Sequence, residues 1–198
     1  MSSLRKKSLF DGIAPIYDLF FNYQVRSFRT ILSRAGTLIT IPPRSSVLDI
    51  GCGTGALALC LHEMGYRVTG ADASPRMIAM ARKNNRGNGA AFVVGDALDS
   101  LPFRDKSFDL VIASYVVHGL KKEQRARFYN EARRLARTQV IFQDYNGRRK
   151  VLSDVVEWLE RGDYFYFIGH AREEMKDAFG GVDVRSLAAQ VAWYICTP

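Results

Sequence analysis

The chain has 198 residues, of which 47% are hydrophobic and 24% charged, and a formal net charge of +8, a balance typical of one globular domain with a substantial apolar core. Its three cysteines form no CxxC pair, which argues against a disulfide framework and against a metal site. The N-terminal segment lacks a signal-peptide core and no apolar run is long enough to cross a membrane, so we expect a cytoplasmic protein without a transmembrane segment.

Helix-like and strand-like patterns alternate along the chain. Residues 10–36 have the apolar spacing of one or two amphipathic helices that end at Gly36. The elements predicted after them are strand 46–50, helix 56–64, strand 67–71, helix 75–86, strand 91–94, strand 108–113, helix 121–136 and strand 139–143. Strands that are apolar on both faces and alternate with helices indicate a parallel sheet covered on each side. The pattern therefore predicts a doubly wound α/β fold.

The first predicted strand runs directly into a glycine-rich turn. In the stretch VLDIGCGTG, residues 47–55, glycines occupy positions 51, 53 and 55. Glycine allows a sharp turn and lets a ligand approach the backbone without a Cβ in the way. Ligands of doubly wound folds bind at the carboxyl ends of the strands, so this turn is the expected ligand site.

An acidic residue lies in or after each of the first three strands. Asp49 lies within the first strand, Asp72 closes the second and Asp96 closes the third. A carboxylate at the second position can accept hydrogen bonds from both hydroxyls of a ribose, and one at the third position can accept one from an adenine amino group. The three acids together predict a site for a nucleoside.

These motifs resemble those of the class I S-adenosylmethionine-dependent methyltransferases. VLDIGCGTG is similar to the first motif of that family, GADAS to its acidic second strand end, VGDALDSLPF to its third, and FDLVIASYVVHGL to its fourth strand and the turn that follows. The similarity covers residues 46–120, and LFDGIAPIYD further resembles the start of the ubiquinone and menaquinone biosynthesis methyltransferases. The resemblance implies a mostly parallel, seven-stranded Rossmann-like sheet with helices on both faces and an N-terminal helical cap. It implies one domain, with 1–45 as the cap, 46–144 as the cofactor-binding core and 145–198 as the substrate-side segment with the final strands.

The resemblance also implies that the cofactor is S-adenosylmethionine and the product S-adenosylhomocysteine. Asp49 would approach the ammonium group of the methionine moiety, Asp72 would hold the ribose and Asp96 would border the adenine. The other implied cofactor contacts are Gly51 and Gly53 through their backbone, Ala73 next to Asp72, Ala97 at the adenine, Ala113 and Ser114 at the methionine portion, and Tyr17 closing over the cofactor from the cap.

A nicotinamide-dependent dehydrogenase is the main alternative. Gly51, Gly53 and Ala56 formally satisfy the GxGxx[GA] spacing, and Asp72 stands where a ribose-binding acid belongs. This alternative does not account for the third acid, and a pyrophosphate would be repelled by Asp49. The methyltransferase interpretation explains more of these residues.

The parts of the chain outside the core are rich in aromatic residues and predict an apolar acceptor pocket. They are the cap and the segment 146–179, which contains DYFYF. Aromatic walls suit a small, planar or hydrophobic acceptor. The candidate acceptor residues are Tyr115, His118, Tyr145, Tyr164, Tyr166 and His170. A catalytic base is needed only if the acceptor must lose a proton. The candidates for that role are His118, Asp144, Tyr145 and His170, and the sequence assigns it to none of them.

The net charge concentrates in residues 121–150, which carry +7. A basic segment of this kind supports RNA as an alternative acceptor to a small molecule, and a protein acceptor is the other alternative. The predicted helix of this segment places most basic residues outward, the usual pattern of a solvated face, and its inward stripe is Phe128, Ala132, Leu135 and Ala136. Nucleic acid is therefore the less favoured partner. A cofactor-binding protein that has lost transfer is a third interpretation, and the oligomeric state is left open.

Overall fold

The computed structural model describes residues 20–146 and 164–198, without the side chains of residues 164 and 165. Predictions that fall on 1–19 or 147–163 lie outside the described residues, Tyr17 and the first 19 residues of the cap among them, and so does the side chain of Tyr164. Contacts between residues divide the chain into two compact units, residues 1–102 and 103–198. The single domain with boundaries after residues 45 and 144 stays a prediction.

The first unit contains three α-helices and three strands among its described residues, besides a short helical turn at Gly36–Leu38. They are α1 (Phe21–Ala35), β1 (Ser46–Ile50), α2 (Ala56–Glu63), β2 (Arg67–Asp72), α3 (Pro75–Asn84) and β3 (Ala91–Val94). β1 and β3 both pair with β2 in parallel. The predicted start of α3 is confirmed, because the Ser74 hydroxyl accepts a hydrogen bond from the Met77 N–H at 3.3 Å and Pro75 is the first helical residue.

Helix α1 belongs to the body of the first unit. It buries Val25, Ile31, Leu32 and Ala35. Its Gln24 accepts a hydrogen bond from the Thr54 hydroxyl in the glycine turn at 3.0 Å, and its Arg29 pairs with Glu63 of α2 at 2.7 Å. The helix predicted to end at Gly36 is thus confirmed over its described part, and it supports the turn.

The second unit contains the remaining described elements. They are β4 (Phe108–Ser114), the short helical turn Val117–Gly119, α4 (Lys122–Leu135), β5 (Ala136–Tyr145), α5 (Tyr164–Ala178), β6 (Gly181–Ala188) and β7 (Val191–Thr197). β4 and β5 are parallel, whereas β7 is antiparallel to both β5 and β6. β5 is longer than predicted at both ends, and at its carboxyl end Asp144 and Tyr145 continue the ladder opposite Ala192 and Val191.

The described strands form one mixed sheet in the order β3-β2-β1-β4-β5-β7-β6. The prediction of an α/β fold with seven strands is confirmed, but the prediction of a mostly parallel sheet is wrong. Only two residues, 189 and 190, separate β6 from β7. A connection this short joins antiparallel strands, because a parallel pair needs a crossover of about a dozen residues or more.

Candidate functional site

The glycine turn between β1 and α2 has a left-handed backbone at each of its glycines. The φ angles are +74° at Gly51, +51° at Gly53 and +80° at Gly55, values that side chains with a Cβ rarely adopt. The turn stays close to the end of β2, because the Gly51 N–H donates to the Ala71 carbonyl at 2.7 Å. A Cβ placed on Gly53 would meet no atom of residues 20–146 or 164–198 within 4 Å, so this part of the chain leaves the backbone there uncovered.

Asp72 holds this turn with both of its carboxylate oxygens. Its Oδ2 accepts a hydrogen bond from the Gly53 N–H at 2.9 Å, and its Oδ1 accepts one from the Ser74 N–H at 2.9 Å. The half-buried carboxylate thus connects the glycine turn to the start of α3. Each carboxylate oxygen has two lone pairs and can accept more than one hydrogen bond.

Asp49 is a buried acid whose charge the described residues do not compensate. Its side chain is 1% exposed, and its Oδ2 has no hydrogen-bond partner within the described part of the chain. Burial, and secondly the negative charge of Asp72, raise the pKa of Asp49 to about 8. A buried carboxylate without a partner is unfavourable, and a cationic group beside it would supply the missing interaction. This environment fits the ammonium group of S-adenosylmethionine.

Asp96 and Ala97 follow β3, next to the end of β2. The Gly95 N–H donates to the Asp72 carbonyl at 3.0 Å, so the two strand ends are adjacent. The Asp96 Oδ1 accepts a hydrogen bond from the Leu98 N–H at 2.9 Å, which shapes the loop after the strand. The structure therefore brings the three predicted acids and the glycine turn together at one edge of the first unit. Their roles as cofactor contacts, and that of Ala73, stay predictions.

The end of β4 in the second unit carries a polar network that the sequence did not reveal. Ala113 is buried, and the Ser114 hydroxyl accepts a hydrogen bond from the Gln143 amide at 2.9 Å. The Gln143 oxygen accepts one from the indole N–H of Trp193 at 3.0 Å. A polar Gln143 at the end of an apolar strand was the available signal, whereas its pairing with Trp193 depends on the antiparallel β7.

Three predicted acceptor residues meet at the carboxyl end of β4 and β5. His118 and Tyr145 have ring centroids 4.9 Å apart in an edge-on arrangement, and those of Tyr145 and Tyr115 are 5.4 Å apart. The His118 Nδ1 lies 2.7 Å from the Asp144 Oδ1. Tyr115 has a φ of +55°, unusual for a side chain with a Cβ, and is 38% exposed. We call these four residues the His118 cluster.

Tyr166 and His170 form a separate pair on helix α5. Their rings stack with centroids 4.0 Å apart, and the His170 Nδ1 lies 2.9 Å from the Tyr166 carbonyl oxygen. The charged groups of Lys122 and Arg125 each lie 5.7 Å from the Tyr166 ring centroid, a cation–π arrangement. The contacts of these two residues are therefore with α4 and with each other, and their role in acceptor binding stays a prediction.

The described residues offer neither a metal site nor a reactive thiol. Residues 20–146 and 164–198 contain no group of three or more His, Cys, Asp or Glu side chains able to hold a metal ion. All three cysteines are buried, and burial is the largest cause that raises the pKa of each thiol, to about 11 for Cys60 and about 12 for Cys196. Of the helices in the same residues, none is long and apolar enough to cross a membrane.

Comparison with known proteins finds a methyltransferase domain in this chain. Residues 48–142 match the family described as a methyltransferase domain. Demethylmenaquinone methyltransferase of Thermus thermophilus is 40% identical over 116 residues, which are 54% of this chain and 50% of the relative. Ribosomal protein L11 methyltransferase of Burkholderia mallei is 31% identical over 140 residues, which are 68% of this chain and 46% of the relative. The chain thus spans about half the length of the curated relatives it matches.

Solved structures agree on the fold. DhpI in complex with S-adenosylhomocysteine has a TM-score of 0.74 at 23% identity, over 97% of this chain and 94% of DhpI. The methyltransferase in complex with the activator Trm112 from Haloferax volcanii has a TM-score of 0.72 at 20% identity, over 96% of this chain and 97% of that one. Residues 48–142 therefore match a methyltransferase domain, and the chain shares the fold of these two solved proteins. Its resemblance to the ubiquinone and menaquinone subgroup is confirmed by the quinone-biosynthesis relative.

Proposed function

We propose that this protein transfers a methyl group from S-adenosylmethionine to a small, largely apolar molecule. The observation that carries the proposal is Asp49, a buried acid two positions before a left-handed glycine turn, with one oxygen that has no hydrogen-bond partner among the described residues. A dehydrogenase would place an anionic pyrophosphate at such a turn, which this acid disfavours, whereas a cationic methionine moiety compensates its charge.

The cofactor role falls to residues of the first unit. Asp49 would pair with the ammonium group, Asp72 with the ribose hydroxyls and Asp96 with the adenine amino group. The backbone of Gly51 and Gly53 would approach the cofactor closely, which their lack of a Cβ permits. The remaining proposed contacts are Ala73, Ala97, Ala113 and Ser114.

A small acceptor is supported by the nature of the His118 cluster and by the relatives. The cluster combines aromatic rings, which suit a planar apolar molecule, with one polar pair. Demethylmenaquinone, the substrate in the name of the Thermus thermophilus relative, is a molecule of this kind. Cytoplasmic location stays a prediction.

A protein acceptor is the second candidate, because one relative is named as a ribosomal protein methyltransferase.

RNA is less favoured, because much of the basic segment is engaged within the second unit. Arg125 pairs with Glu174, Arg134 with Glu131 and Asp105, and Arg137 with Asp109. Of the predicted inward stripe, Phe128, Ala132 and Leu135 are buried on α4, and Ala136 is buried as the first residue of β5. Co-purification tests whether this chain binds a protein partner of the Trm112 kind, as in the Haloferax complex.

Transfer of a labelled methyl group into fractionated cell extract tests the acceptor class. The purified protein and labelled S-adenosylmethionine are incubated with extract that is untreated, treated with nuclease or treated with protease. We expect label in the organic-soluble small-molecule fraction, unaffected by either treatment. Label that disappears with nuclease would favour RNA, and label that disappears with protease would favour protein.

A further inference from the structure

Strand β6 ends the sheet on one side among residues 20–146 and 164–198. It is the last strand in the order, and β7 is its neighbour on the other side. The pairing with β7 is regular from Gly181 to Ser186, and the register shifts only after Ser186. The outer N–H and C=O groups of an edge strand can pair with a further strand. Residues 181–186 therefore offer a regular stretch for such pairing.

Two opposite charges lie on one face of this stretch. Asp183 and Arg185 are two positions apart, so they share a face of the strand, and the Arg185 Nη2 lies 2.7 Å from the Asp183 Oδ2. Their side chains are 55% and 57% exposed. Val184 between them belongs to the other face, is half-buried and pairs with the buried Tyr194 of β7. The edge thus has an acid and a base placed symmetrically about a valine.

This charge pattern is complementary to itself in one arrangement. Antiparallel pairing of a strand with its own copy has a twofold axis, and the residue at the axis defines the register. With Val184 at the axis, Asp183 of each copy lies opposite Arg185 of the other, on the same face of the sheet. An axis at Asp183 or at Arg185 would place two like charges directly opposite each other, which is destabilising. Parallel pairing in register would also place like charges side by side.

We propose that β6 is a homodimer interface, in which it pairs antiparallel with β6 of a second copy about a twofold axis at Val184. The four charges then alternate in sign around the axis, so the pair within each chain is kept while two further pairs form between chains. On the opposite face the two Val184 side chains meet and bury apolar surface. This inference does not depend on the proposed function.

A second copy is favoured over a different partner because the complementary charges are already present in the chain itself. Exposed charges on an edge strand usually prevent unspecific pairing. In β6 they exclude the shifted registers and leave the one centred on Val184. The paired stretch is short, and interfaces of small area are weak or transient, so we expect a dimer that forms reversibly at high protein concentration.

The test is sedimentation velocity of the full chain from about 1 μM to about 1 mM, a range that covers weak complexes. We expect a reversible dimer for the wild type. Asp183→Arg makes both positions cationic and Arg185→Asp makes both acidic, so each should raise the dimer Kd about tenfold or more. The matched control is Arg86→Asp, an equal charge change at an exposed residue of the first unit, which should dimerise like the wild type.

Mixing the two interface variants separates pairing from a loss of stability. In an equimolar mixture each cation of Asp183→Arg lies opposite an acid of Arg185→Asp, so a heterodimer should form with about the wild-type Kd. A variant that is merely misfolded would not be rescued in this way, and circular dichroism checks its fold. A wild type that stays monomeric over the whole range would overturn the proposal. So would a dimer that neither variant weakens, or two variants that do not associate when mixed.

Discussion

In the ligand-free protein the burial of the Asp49 carboxyl group is energetically unfavourable, and a bound cofactor would remove this penalty. Its carboxyl group is buried, its Oδ2 is unpartnered among the described residues, and its pKa is raised to about 8 from 3.8. The folded protein therefore holds a proton on Asp49 at pH values where the unfolded chain has released it. A bound ammonium group would favour the ionised form and release that proton.

The first prediction concerns pH. Because the pKa of Asp49 is raised on folding, this residue should make the free energy of unfolding fall as pH rises from about 4 to about 8, by up to about 1.4 kcal/mol per unit. Asp49→Asn should show a smaller fall over that window. Urea unfolding of both proteins at several pH values measures it, and equal slopes would contradict the assigned environment.

The second prediction separates Asp49 from Asp72 by ligand. Asp49→Asn should weaken S-adenosylhomocysteine binding about 10- to 100-fold, through loss of a charge-assisted interaction of roughly 1.5–3 kcal/mol, and should leave adenosine binding unchanged. Asp72→Asn should weaken both ligands, since both contain the ribose. Calorimetry measures the affinity of each of the two variants for each of the two ligands. An equal loss of adenosine affinity in the two variants would show that Asp49 does not contact the methionine portion.

At the scale of elements, the glycine turn depends on the helices around it. A Cβ on Gly55 would lie 2.5 Å from the Asn85 Nδ2, which donates to the Gly55 carbonyl at 3.2 Å and to the Ala81 carbonyl at 3.0 Å. Gly55 thus lets the start of α2 approach the end of α3. Gly53 meets no such neighbour.

The third prediction contrasts these two glycines. Gly53→Ala should lower the free energy of unfolding by about 1–2 kcal/mol, the usual cost of a left-handed residue with a Cβ. Gly55→Ala has the same backbone cost and must also displace Asn85, so it should be more destabilising. Urea unfolding of both variants measures the difference. A Gly53→Ala protein less stable than Gly55→Ala would mean that the close approach of α2 and α3 is wrong.

The sequence predicted the elements that local patterns define and missed those that depend on distant partners. The glycine turn and the Ser74 cap were predictable, because a few adjacent residues determine each of them. The burial of Arg125 was not predictable, because in the sequence this residue resembles the other basic residues on the polar face of the helix. Its burial requires Glu174, which lies 49 residues away and accepts two of its hydrogen bonds at 2.7 and 2.9 Å.

The candidate site was predictable to a similar extent. The acids of the first unit lie at strand ends that can be located in the sequence. Because the fold class brings these strand ends to one edge of the sheet, the proximity of the acids could be predicted. The pairing of His118 with Asp144 depends on the register of β4 and β5, which the sequence does not specify. Tyr166 and His170 were grouped with His118 on their residue type, whereas the structure shows them stacked on each other beside α4.

At the scale of the whole molecule, the net charge of +8 overstates how basic the described surface is. Arg125 is buried in an ion pair, and Arg134 bonds Glu131 and Asp105. The exposed cations of the basic segment within the described residues are Lys121, Lys122, Arg127, Arg133 and Arg137. Of these, Arg137 pairs with Asp109, so a phosphate backbone would compete with an existing interaction.

The fourth prediction follows from this distribution of charge. Binding to total RNA should be weak, with a Kd of roughly 10⁻⁴–10⁻⁶ M at physiological salt, because it rests on non-specific phosphate contacts. With about four such contacts, the affinity should fall on the order of 100-fold between 50 and 200 mM salt. Fluorescence anisotropy with labelled RNA measures the slope, and Lys121→Gln combined with Arg127→Gln should make it shallower. Tight binding to one RNA that resists salt would mean that bases are recognised, and would make RNA the leading acceptor in place of a small molecule.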